Sequence, residues 1–155
     1  VEYGDVEQAV LSFVLGASEA DLRAFGVETV VRLTPYETLR DAASSEFDDE
    51  ASRAFELACA NAATADAAEL RGHLVRIDEG TLSDGDMDPE VLLALSALEH
   101  WTTYLEEGSP GELYELAIRS IEEVDFQVSA DLGDFLAEPA MAAEYARIER
   151  LLTTA

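Results

Sequence analysis

The sequence predicts an all-α fold: an irregular single-domain bundle of about eight helices over residues 1–155, with a central helical hairpin. Three observations carry that expectation. Apolar residues recur at three- and four-residue spacing along most of the chain. Helix-start signals punctuate it at short intervals. The single strand-like stretch, Thr29 to Leu33, lies within a helical period and lacks a partner strand.

Taken in order, Asp5 begins an Asp-x-x-Gln box with Gln8, ahead of Val6, Val10, Phe13 and Val14. Ser18 and Asp21 start a second helix that carries Leu22, Phe25, Val30 and Leu33, with Gly26 suited to close packing by a neighbour. Thr34-Pro35-Tyr36-Glu37 reads as a cap, a first-turn proline and a carboxylate reaching back. The third helix then carries Leu39 and Ala43, and ends near Ser44 and Ser45.

Asp48 and Asp49 open a fourth helix, because carboxylates favour the positive helix end. Its small face of Ala58, Cys59, Ala62 and Ala63 admits a closely packed neighbour. Asp66-Ala67-Ala68-Glu69 is a further capping box, leading into Leu70, Leu74 and Ile77, with Gly80 as a stop. Residues 80–88 are loop-like in Asp, Gly and Ser.

Asp88-Pro89-Glu90 caps the longest apolar helix, Pro89 to Glu107, with Val91, Leu92, Leu95, Leu98, Trp101, Tyr104 and Leu105 on its expected core stripe. Gly108 ends it and Ser109-Pro110-Gly111-Glu112 starts the next, which bears Leu113, Leu116, Ala117, Ile121 and Val124. That short connection predicts the antiparallel hairpin. A short helix over Asp131 to Ala137 and a last one from Pro139 complete the bundle.

Charge bounds function. Thirty-four acids against nine bases give a net charge of −25, and every base is Arg. Such a chain repels nucleic acid and anionic lipid and attracts basic proteins. The competing reading is acidity that serves solubility alone, as in a salt-adapted or GC-rich proteome. No apolar run reaches the roughly 18 residues of a membrane span, and the start of the sequence carries no basic-then-apolar leader. A single cysteine, Cys59, fits a reducing compartment, so a cytoplasmic location is expected.

The search for chemistry yields no catalytic residue, metal site or cofactor. Asp84, Asp86 and Asp88 alternate like the opening of an EF-hand loop, but Pro89 stands where that loop needs Gly and Leu95 where it needs Glu. His73 and His100 belong to no metal-binding spacing; Glu69 and His73 are expected to pair along one helix face. Cys59 sits among apolar neighbours with no base beside it. Without Lys there is neither a phosphate loop of the P-loop type nor Schiff-base chemistry. Carboxylate doublets such as Glu106-Glu107 arise from composition and read as solvated faces.

The segment Ala94-Leu95-Ser96-Ala97-Leu98-Glu99-His100-Trp101, followed by Leu113 to Phe126, resembles small all-helical immunity proteins of bacterial polymorphic-toxin systems. The likeness covers about a quarter of the chain and carries over no site residue. It implies neutralisation of a toxin.

The leading expectation is therefore an interaction protein rather than an enzyme, binding a basic partner such as a toxin nuclease. Its expected contacts are Glu46, Asp48, Asp49 and Glu50; Asp84, Asp86 and Asp88 within the acid-rich stretch Asp78 to Glu90; and Glu122, Glu123 and Asp125. The alternative is a helical enzyme or small-molecule binder with a pocket lined by acids and by His100 or His73. A homodimer through the Cys59 helix or the Met141 to Leu152 helix would be a supplement to either.

Overall fold

Capping carboxylates and first-turn prolines divide the chain into eight α-helices among the described residues, 1–82 and 85–153 of the computed structural model. They are α1 (Tyr3–Gly16), α2 (Glu19–Leu33), α3 (Tyr36–Glu46), α4 (Asp49–Ala60), α5 (Ala67–Glu79), α6 (Pro89–Glu107), α7 (Pro110–Val128) and α8 (Pro139–Leu152). The all-α expectation is met, and Thr29 to Leu33 is helical. The short helix expected over Asp131 to Ala137 is reduced to a 3₁₀ turn, Phe135–Ala137.

Four caps act as the sequence implies, Ser18 among them, accepting from the Asp21 N–H at 3.1 Å. Asp48 accepts from the Ala51 N–H at 2.8 Å, Asp66 from Glu69 at 2.8 Å, and Asp88 from Glu90 and Val91 at 3.0 and 3.1 Å. Two others differ. The first helix starts at Tyr3, with Asp5 inside its first turn accepting from the Glu2 N–H at 3.1 Å. Thr34 closes α2 instead of opening α3: its hydroxyl donates to the Val30 carbonyl at 2.8 Å, and Pro35 takes the cap position. Glu37, freed from reaching back, pairs with Arg40 at 2.9 Å.

Contacts group the chain into two compact units, Val1–Thr29 with Ser109–Ala155, and Val30–Gly108. The helices of the expected central hairpin belong to different units. In the second unit α6 packs on α5 and α3, and α4 packs most extensively on α5. The alanine face of α4 (Ala51, Ala54, Ala58) is buried there, so it is spent within the unit and is not free for a dimer; Ala63 lies past the helix and is exposed. Trp101 is buried on α6, donates its indole N–H to the Ala62 carbonyl at 2.9 Å, and stacks on Tyr104.

An isolated antiparallel bridge, Phe47↔Thr81, ties the α3–α4 turn to the end of α5. Asp48 donates its N–H to the Gly80 carbonyl and Leu82 to the Glu46 carbonyl, both at 2.8 Å. Gly80 stops α5 without a left-handed backbone, at φ −102°. What demands glycine is space, because a Cβ there would overlap the Asp48 carboxyl and the Ala51 methyl. Gly108 is the left-handed case, at φ 70°, where it ends α6.

In the first unit α7 packs on α1 and α8. The α8 stripe Met141, Ile148 and Leu152 is buried inside this unit, which removes the second candidate dimer face. Arg147 of α8 joins α2 by a dense set of bonds. Its guanidinium meets both oxygens of Glu144 at 3.0 and 2.9 Å, Thr29 at 3.1 Å and Glu28 at 3.2 Å. It also lies over the Phe25 ring, 5.6 Å from its centroid. Glu144 is only 4% exposed, so its charge depends on this partner.

Removing one half of that pair should cost far more than removing both. Arg147→Ala is expected to lose about 3–5 kcal/mol by urea denaturation, because it strands a buried carboxylate. The double variant Arg147→Met/Glu144→Leu should recover most of the loss; equal destabilisation of single and double variants would show that packing, not charge, holds this joint.

Candidate functional site

Within the second unit the candidate surface lies on α5 and α6, which Arg71 links. Glu99, Thr103 and Glu106 fall at helical spacing on one stripe of α6. Arg71 reaches from α5 to all three. Its Nη1 contacts both Glu99 oxygens at 2.7 and 2.9 Å, Nε and Nη2 donate to Glu106 at 3.1 and 2.8 Å, and Nη2 also donates to Thr103 Oγ1 at 3.1 Å. Two carboxylates on one planar fork leave it no rotational freedom. Their hydrogen bonds raise the Arg71 pKa and hold the Glu106 carboxyl below its ordinary value.

Beside this staple, α5 and α6 diverge around a groove of about 570 Å³. Its walls are apolar: Leu74, Val75 and Ile77 from α5, Leu92 and Leu95 from α6, and Met87 from the preceding loop. Asp78 and Glu79 stand along one side and Glu99 beside Arg71. Val75 is 50% exposed and Leu92 55%, so large apolar side chains face solvent in a chain otherwise rich in surface acids. Leu92 and Leu95 were expected in the core. The α6 stripe is wider than its neighbours can cover, because Leu93, Ala94, Ala97 and Leu98 already fill the buried face.

The expected partner-binding acids scatter among several local tasks. Asp48 and Asp88 are helix caps, and Asp125 accepts the Ala130 N–H at 2.8 Å beyond the end of α7. Glu122 pairs with Arg119 at 3.3 Å, and Glu123 accepts from Gln127 at 2.8 Å. These three belong to α7 in the first unit, while Glu46, Asp48, Asp49, Glu50, Asp86 and Asp88 belong to the second. Asp86 is exposed, and Asp84 lies outside the described residues. Of the acid-rich stretch Asp78 to Glu90, Asp78 and Glu79 edge the groove. Val75 and Met87 carried no signal of their own, since an exposed apolar residue on an amphipathic helix looks like core until its neighbours are placed.

Among the described residues no group of three or more His, Cys, Asp or Glu is placed to hold a metal ion. Burial pushes the Cys59 thiol up to about 12, so it carries no thiolate at neutral pH. His73 and Glu69 do not bond: the His73 Nδ1 is enclosed with no partner, and Glu69 is exposed in the first turn of α5. Among the described residues no helix is long and apolar enough to cross a membrane.

Comparison of the chain with protein-family models, with curated proteins and with solved structures finds no match. The functional reading rests on the chain's own geometry.

The Arg71 staple has a pH signature. Glu106 ordinarily titrates at 4.5 and is held lower in the fold. Its contribution is therefore fully present above 4.5 and lost as pH falls through the depressed folded value. Glu106→Gln should be less stable than the native chain at neutral pH, with the gap closing toward acid; a gap that persists at acid pH would mean the ion pair is not its source.

Proposed function

We propose that the chain is an interaction domain that captures a basic partner by seating an amphipathic helix in the α5–α6 groove. The observation that carries this reading is the pairing of apolar walls with acidic edges. Val75, Met87, Leu92 and Leu95 offer an apolar surface for one face of such a helix, while Asp78 and Glu79 meet Lys or Arg beside that face. Desolvated apolar anchors supply affinity, and edge carboxylates supply orientation and encounter rate.

The net charge of −25 extends the same preference over long range, since a basic protein is drawn toward the whole surface before it docks. The resemblance of Ala94 to Trp101 to immunity proteins supports a toxin nuclease as one such basic partner. Leu95 and Glu99 of that segment line the groove itself. Cytoplasmic capture of such a toxin would need no cofactor, because blocking a cationic substrate groove is a matter of occupancy.

The direct test uses a synthetic Leu/Lys peptide with a continuous apolar helical face, and a scrambled peptide of identical composition. Fluorescence anisotropy should show saturable binding of the first only. Val75→Ser with Leu92→Ser should weaken it about tenfold or more, as loss of interface anchors does. Asp78→Asn with Glu79→Gln should chiefly flatten its salt dependence. Equal binding of both peptides, unaffected by the apolar substitutions, would reduce the interaction to bulk charge and sink the groove as a docking site.

A further inference from the structure

A second cleft, of about 560 Å³, lies between α4 and α5. Its charged lining is Asp49, Glu50, Arg53, His73 and Arg76, over a base of Ala54 and Leu57. The chain has only nine arginines, and two of them meet a histidine here. Arg76 makes no ion pair among the described residues; its guanidinium donates only to the Gly72 carbonyl, at 3.4 Å. Arg53 is bound to Glu56 at 2.7 Å, on an exposed pair that costs little to open. Arg76 is exposed and, like Arg23 and Arg150, lacks a carboxylate partner among the described residues, so its guanidinium is open to a ligand.

His73 adds a directional donor. Nδ1 is its enclosed, unpartnered nitrogen, and a proton there would be a buried donor with nothing to receive it. A proton carried on Nε2 instead leaves Nδ1 bare. Asp49 and Glu50 supply the opposite charge from the first turn of α4, and neither forms an ion pair among the described residues.

We propose that this cleft binds a small zwitterion with an apolar body, of the amino-acid class. The carboxylate is taken by Arg76 and the Nε2–H of His73, the ammonium by Asp49 and Glu50, and the carbon body lies over Ala54 and Leu57. Both signs of charge within one cleft decide the class. A simple anion meets Asp49, Glu50 and the net negative field, and a simple cation gains nothing from Arg76 that it would not lose by repulsion. Only a ligand carrying both charges satisfies both ends. This site is separate from the α5–α6 groove, and its outcome does not depend on the groove binding a partner.

The test is an NMR titration of the full chain with L-leucine, 4-methylpentanoate, which lacks the ammonium, and 3-methylbutylamine, which lacks the carboxylate. Leucine should shift the His73 ring signals saturably while those of His100 stay in place, and long-range proton–nitrogen spectra should show the Nε2–H tautomer. Each analogue should bind about tenfold or more weaker, the scale of one lost charged hydrogen bond. Arg76→Gln should weaken leucine without weakening the amine, which loses a repulsive neighbour; Asp49→Asn with Glu50→Gln should weaken leucine without weakening the carboxylate, for the same reason. Circular dichroism checks that each variant keeps its helices. No saturable shift at His73, equal shifts at His100, or an analogue that matches leucine would overturn the proposal.

Discussion

Repulsion among 34 carboxylates is the constraint on which the rest of this fold depends. Nine arginines are the only basic side chains apart from two histidines, and some of them neutralise several acids at once. Arg71 and Arg147 show the solution. Each takes two carboxylates and a threonine hydroxyl, and each joins helices that would otherwise present like charges to one another. A planar fork with five donors can do this where a single ammonium could not, which gives the absence of Lys a structural consequence. The two nodes differ in depth. Arg147 is 13% exposed and serves a buried carboxylate, while Arg71 is 32% exposed and serves a surface stripe.

That difference matters for function. A buried node fixes the position of α8 on α2 and has no surface left to offer. A surface node can join two helices and still border a groove between them, as Arg71 does. Its bonds to Glu99 and Glu106 keep α5 on α6 at one end of the groove, and the walls lined by Val75 and Leu92 open beside it. The groove is therefore a by-product of charge management that leaves apolar side chains uncovered. Covering them again is the driving force available to a partner.

The helices were legible because their signals are local. Asp48, Asp66 and Asp88 each act within three residues of themselves, and the spacing of Val6, Val10 and Val14 needs no tertiary information. Thr34 and Asp5 misled for the same local reason. A Thr between two helices can bond backward to a carbonyl or forward to an N–H, and an Asp can be a cap or a third-position acceptor; the letters do not distinguish them. The site was less legible. An acid that caps a helix and one that awaits a partner look alike in sequence, so Asp48, Asp88 and Asp125 were counted as contacts while bound to their own backbone. The apolar lining was hidden in the opposite way, because Leu92 and Leu95 obey the helical period that marks core.

Capping and recognition also compete for the same residues, and this limits where an acidic helical protein can bind. A carboxylate that accepts backbone N–H groups is held in place by them, even when it remains on the surface. Asp88 takes both of its backbone bonds, at 3.0 and 3.1 Å, on one oxygen, so the start of α6 fixes its orientation while the second oxygen has no part in the cap. Asp78 and Glu79, at the other end of α5 from its cap, carry no such duty. Asp49 and Glu50 in the first turn of α4 also lack an ion pair among the described residues, but there the helix end favours an acid, whereas at the C-terminus of α5 it does not. In the proposed function a basic partner would relieve that unfavourable placement as it binds, which makes Asp78 and Glu79, of little use to the isolated fold, the acids suited to recognition.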